Sequence, residues 1–132
     1  MPPLPLALAL AAFSFGAADL PEPSVWRNPS NSVHVRAAPC GQGGMCATVI
    51  WASDKAKADA RRGGTDPLIG VQLFQNFKIV REGEWKGTVF VPDINQRFSG
   101  TITVVDENTI VGKGCALLGL ICKSQTWTRV RS

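Results

Sequence analysis

The chain has no tyrosine and a single histidine, His34. One imidazole excludes a multi-histidine metal centre and any catalytic scheme that passes a proton between two histidines. Charge is sparse as well: 18% of the 132 residues are Asp, Glu, Lys or Arg, with a balance of +4. That excess is spread along the chain rather than gathered in a patch, which argues against nucleic acid as a partner. No apolar run reaches the ~20 residues of a membrane-spanning helix. A Gly-x-Ser-x-Gly elbow, a His-Glu-x-x-His motif and a phosphate loop are also missing. Gly41, Gly43 and Gly44 form a glycine-rich turn, but no Lys-Ser/Thr or helix follows it. No catalytic residue, cofactor or metal is therefore expected. With no repeat, low-complexity tract or interdomain linker, this length fits one domain.

What is present begins with a short apolar segment. Leu4–Ala18 (LPLALALAAFSFGAA) ends in Gly16-Ala17-Ala18, which puts small residues at −3 and −1 of a cleavage after Ala18. This is the pattern of a secretory signal peptide. No Lys or Arg precedes the apolar core, so either the N-terminal amine supplies the positive charge or the true start lies upstream of Met1. Residues 1–18 are expected to be a signal peptide, and 19–132 a single exported domain, periplasmic or secreted.

Export changes how the four cysteines read. They fall as Cys40-x5-Cys46 and Cys115-x6-Cys122, and an even count in an exported chain points to disulfides. Three pairings are possible. The local one, Cys40–Cys46 with Cys115–Cys122, is favoured because each pair encloses a glycine-containing loop that can fold back. Zinc sites usually space paired ligands by two to four residues, and a redox site would want C-x-x-C. Neither spacing occurs.

Between the cysteines the hydrophobic period is two. Strands are expected at Val25–Arg27, Ser32–Ala37, Ala47–Ala52, Gly70–Phe74, Phe77–Val80, Glu84–Val91, Arg97–Asp106, Thr109–Cys115 and Gln125–Val130. Turn signals such as Asn28-Pro29, Arg81-Glu82-Gly83 and Asp106-Glu107-Asn108 separate them. One stretch differs. Ser53–Arg62 (SDKAKADARR) reads as a short surface helix that stops at Gly63-Gly64. Strands with one apolar face in so short a chain bury that face on each other, and closing the sheet removes its edges. The expected fold is all-β: a small antiparallel up-and-down β-barrel of about eight strands with one short surface helix. Gly87, Gly100 and Gly112 lie inside strands, where they permit bends or close approach.

Several segments resemble a family of exported bacterial proteins, domain-of-unknown-function family 2147. They are Val25-Trp26, the Cys40–Cys46 loop followed by ATVIW, DPLIGVQL, WKGTVFVPD and the closing Gly114-Cys115 with GLICKSQTWTRV. The resemblance covers about Pro21 to Val130. It departs at Ser24, where the family usually has Gly, and at Gln96 and Phe98, where it tends to have Gly and Tyr. It implies a lipocalin-like or calycin-like barrel in the cell envelope and no known activity. In the wider lipocalin group an Arg from the last strand covers a Trp on the first. Trp26 and Arg129 occupy similar places, which implies a structural pair.

His34 alternates with Val33 and Val35 and is expected on a solvated face. The aromatic residues either fill the barrel or line a pocket at its mouth. Trp51, Trp85, Phe98, Ile102 and Trp127 have strand phases that could face inward and are the candidate ligand-binding residues. Lys86, Arg97 and Lys113 could then meet an acidic head group. The expected function is a non-catalytic envelope barrel binding a small apolar or amphipathic ligand. The alternative is an envelope structural or interaction protein with a filled barrel. It would act through the 53–67 segment or the 115–122 loop, whose conspicuously apolar Leu117-Leu118-Gly119-Leu120-Ile121, if exposed, is expected to meet a partner or a membrane surface of the envelope. A cavity of ~300 Å³ or more separates the two.

Overall fold

The period-two segments become eight strands, each paired antiparallel with its neighbour in sequence. They are β1 (Ser24–Arg27), β2 (Val33–Gly41), β3 (Gly44–Ala52), β4 (Gln72–Arg81), β5 (Glu84–Val91), β6 (Gln96–Asp106), β7 (Thr109–Ala116) and β8 (Ile121–Arg129). The computed structural model describes residues 24–130, so the expected signal segment at 1–18 lies outside the described residues. β8 returns to β1 and closes the barrel. Among the described residues that closing seam is short: Trp26 pairs with Arg129 and Arg27 with Thr128, and the Val130 N–H donates to the Val25 carbonyl. The remaining ladders are longer, up to eight pairs between β5 and β6.

Two expected strands, Gly70–Phe74 and Phe77–Val80, are one. Asn76 adopts a left-handed φ of 53°, and the register with β5 shifts between Gln75 and Lys78. The bulge lets β4 continue through a residue that breaks the alternation. The helix forms where its caps place it. α1 spans Asp54–Arg62, and Ser53 Oγ accepts the Ala56 N–H at 3.1 Å. The Gly63 N–H closes the other end on the Asp59 and Ala60 carbonyls. Beyond it the Thr65 hydroxyl donates to the Pro92 carbonyl at 2.8 Å, tying the helical segment to the β5–β6 turn.

Antiparallel order sorts the connections into two ends. The β2–β3, β4–β5 and β6–β7 turns share one end. The β1–β2 turn, the α1 segment, the β5–β6 turn and the β7–β8 hairpin share the other. The first end is packed. Trp26, Val35, Met45, Phe77, Ile102 and Ile110 surround a residual void of about 20 Å³, room for a single water at most. Gly87 and Gly100 oppose each other across β5 and β6, and the Phe77 ring occupies the space their missing side chains leave. A Cβ on Gly87 would lie 2.6 Å from that ring. The Trp26 indole N–H, also buried there, donates to Ser24 Oγ at 2.8 Å.

Both local disulfides are formed, Cys40–Cys46 between β2 and β3 and Cys115–Cys122 across the β7–β8 ladder. Loops this short restrict the unfolded chain by about 2 kcal/mol each on the chain-entropy account. Replacing Cys40 and Cys46 together with Ala is expected to lower the urea-unfolding free energy by about that amount. An unchanged midpoint would show that the bridge adds no stability.

Candidate functional site

The second end is open. Between the barrel wall and α1 lies a cavity of about 940 Å³, toward the upper part of the range for small-molecule pockets. Its apolar wall is built by Leu73 and Phe74 of β4, Val89 of β5, Phe98 of β6 and Trp127 of β8. Phe74 meets Trp127 edge-on at 5.5 Å and Phe77 edge-on at 5.7 Å. These contacts join the cavity wall to the packed floor. The rim is polar, with Lys55 and Asp59 of α1, Asp93 of the β5–β6 turn, and Lys113 and Lys123 beside the β7–β8 hairpin.

Trp127, Gln125 and Lys123 share one phase of β8, opposite Ile110, Gly112 and Gly114 of β7. Facing two glycines, Gln125 and Lys123 have space beside them, and both line the cavity. Neither was among the expected site residues: Lys123 lay before the expected strand, which began at Gln125, and Gln125 was passed over for the aromatic and aliphatic residues. Stepping back by twos from Trp127 would have found Lys123. The seam adds a second feature: Asn28, Ser30 and Ser32 of the β1–β2 turn line the same cavity as Lys123 and Gln125. The cavity therefore reaches the part of β8 beyond its short ladder with β1.

A comparison with protein families matches residues 24–129 to the family described as "Uncharacterized protein conserved in bacteria", DUF2147. The chain belongs to the DUF2147 family. Comparison with curated proteins gives no match. Among solved structures the barrel is similar to the Helicobacter pylori protein HP1028, described as belonging to the lipocalin family. The similarity has a TM-score of 0.63 over 85% of this chain and 84% of the other, at 13% identity. That likeness is one of fold.

Of the five aromatic and aliphatic candidates, this DUF2147 barrel brings two to the cavity, Phe98 and Trp127. Ile102 is buried in the packed floor. Trp85, its ladder partner, is half-buried against the core. The buried Trp85 indole nitrogen meets no acceptor among the described residues. Trp51 corrects the expectation. Val49 pairs with Val35 but Trp51 pairs with His34, leaving Ile50 as an extra residue in β3. That bulge reverses the phase, so Trp51 is 44% exposed while Ala52 is buried. On the outer surface Trp51 packs on the His34 ring at 4.7 Å, and His34 Nε2 lies 2.7 Å from Asn31 Oδ1. Of the three basic candidates, Lys113 is at the rim. Lys86 is exposed on the wall opposite Lys78, and the Arg97 guanidinium lies 5.1 Å over the Phe90 ring. Arg129 is the ladder partner of Trp26.

The helical edge of the DUF2147 cavity is braced by charge. The Lys55 ammonium, 2.8 Å from Asp59, holds that carboxyl below its ordinary value of 3.8, and Arg62 adds to the effect. A lowered carboxyl pKa stabilises the folded state above the unfolded value, and the contribution is lost as pH falls through the folded one. An NMR titration of Asp59 is expected to give a midpoint below 3.8. A midpoint above that value would mean the brace does not hold in solution.

Proposed function

We propose that this DUF2147 chain is an exported cell-envelope barrel that takes a small apolar or amphipathic molecule into its open half and performs no chemistry on it. The observation that carries this reading is the cavity: about 940 Å³, apolar in its walls, closed beneath by the packed floor and rimmed by polar groups. Trp127 and Phe98 would bury the apolar part of the ligand, while Gln125 and Lys123 supply hydrogen bonds for a polar end. The filled-barrel alternative is not favoured, since it needs the interior that this cavity occupies. Export is supported by the signal pattern at 1–18 and by two disulfides, which belong to an oxidising compartment. The non-catalytic reading is supported by the placement of the single histidine, which is bonded to Asn31 and packed against Trp51 on the outer wall.

Native mass spectrometry of the protein exported to a periplasm and purified without reductant tests the proposal. The expected result is a polypeptide cleaved after Ala18, lacking the hydrogens of both disulfides, with an added mass that leaves on denaturation. A clean apo mass, in a protein that also fails to bind apolar fluorescent probes, would overturn it.

A further inference from the structure

The β7–β8 hairpin borders the cavity through Ala116 and Ile121, but its tip, Leu117 to Leu120, lies outside the lining and is a feature that ligand binding does not use. From Gly114 to Cys122 the sequence GCALLGLIC has no charged side chain, and the charges that bound it, Lys113 and Lys123, are both positive. Its tip is turned outward. Leu118 is 104% exposed, Leu120 83%, Leu117 65% and Ile121 54%. The backbone enforces this display: Leu117, Leu118 and Gly119 have φ of 53°, 57° and 89°. Two successive leucines in the left-handed region are uncommon, and here they gain no apolar burial within the barrel. Cys115 and Cys122, direct ladder partners, cross-link the neck of the hairpin and fix its two strands to each other.

We propose that this hairpin is a membrane-docking wedge, which dips its leucines into an anionic phospholipid surface and sets the cavity mouth against it. Its shape and charge select a lipid surface over a protein. A protein interface of ordinary size buries roughly 800 Å² on each partner and needs a broad, complementary face. This hairpin offers a narrow convex tip. A narrow apolar tip whose neck carries Lys113 on one face and Lys123, shared with the cavity rim, on the other matches the layering of an anionic bilayer, with acyl chains below and negative head groups at the level of the neck. The segment is far too short to cross the ~30 Å hydrocarbon core, so it anchors without spanning. The wedge does not depend on the cavity holding a ligand.

Flotation of the mature, disulfide-bonded protein with vesicles tests this directly. The protein is expected to float with vesicles of phosphatidylglycerol and phosphatidylethanolamine, and much less with phosphatidylcholine alone. Binding should fall about tenfold or more in L118D/L120D and about fivefold when Lys113→Gln removes one surface-facing charge. A tryptophan introduced as L118W should blue-shift on the anionic vesicles. Neither Leu118 nor Leu120 lines the cavity, so L118D/L120D should keep its urea midpoint and its affinity for a soluble apolar probe. That readout separates failure of the wedge from failure of the ligand reading. Absence of wild-type flotation, or equal flotation of L118D/L120D, would overturn the proposal. So would a lipid-free dimer that L118D/L120D converts to monomer, since the tip would then be covered by a second copy.

Discussion

Phe77→Ala is expected to destabilise the barrel by about 3–5 kcal/mol. Phe77 is 1% exposed and fills the floor from the side that Gly87 and Gly100 leave open. Its loss removes the ring without giving the walls a way to close. Each neighbouring strand is held in a closed ladder, so collapse into the void would have to break pairing. A domain of this size has a total stability of roughly 5–15 kcal/mol, so the substitution removes a large part of it. The ring also supports Phe74, which supports Trp127, and the cavity wall should loosen along with the floor. Urea unfolding of wild type and variant measures the difference. A loss below about 1 kcal/mol would mean that the floor is not packed around this side chain.

Gly114→Phe is expected to abolish ligand binding while leaving the fold in place. Gly114 lies on β7 opposite Lys123 and lines the cavity. A Cβ there would first meet Val89 at 3.8 Å, an ordinary van der Waals separation. The phenyl ring would occupy space intended for the ligand, and aromatic residues suit a strand. Apolar-probe affinity should drop at least about tenfold with little change in the urea midpoint. Gly87→Ala is the converse case. Its smaller added group would strike the Phe77 ring at 2.6 Å and the Gln75 carbonyl at 2.8 Å, so it should cost about 1–3 kcal/mol without touching the cavity. If Gly114→Phe binds probe as wild type does, the ligand does not lie in this cavity.

The architecture was legible because the period-two pattern is regular and almost every turn announces itself. Ser53 and Gly63 bracket α1, and the short spacing of each cysteine pair matches a local bridge. The candidate site was legible only in part. Alternation gives a face but no depth, so Ile102 is correctly inward and yet belongs to the floor. Bulges defeat alternation altogether: one extra residue at Ile50 sends Trp51 outward, and nothing in the composition of ATVIWA marks it. Asn76 hides a similar irregularity inside β4. Lys123 and Gln125 were missed for a different reason. The expected strand began only at Gln125, whereas the ladder runs on through Lys123 and Cys122 to Ile121, and Gln125, though inside the expected strand, is polar and was not weighed as an inward residue.

The two-pair seam has a consequence for how the molecule folds. Every other ladder joins strands adjacent in sequence, so hairpins can form early from local contacts. The seam alone joins residues roughly a hundred positions apart, and bringing them together carries the largest chain-closure entropy in the structure. Closure should therefore come last. Until it does, the sheet has two free edges that can pair with another chain. Trp26, delivered by β1 into the floor, makes closure favourable by burying the largest side chain of that strand in the same step. The period between formation of the open eight-strand sheet and closure of β8 onto β1 is when this protein is most exposed to aggregation.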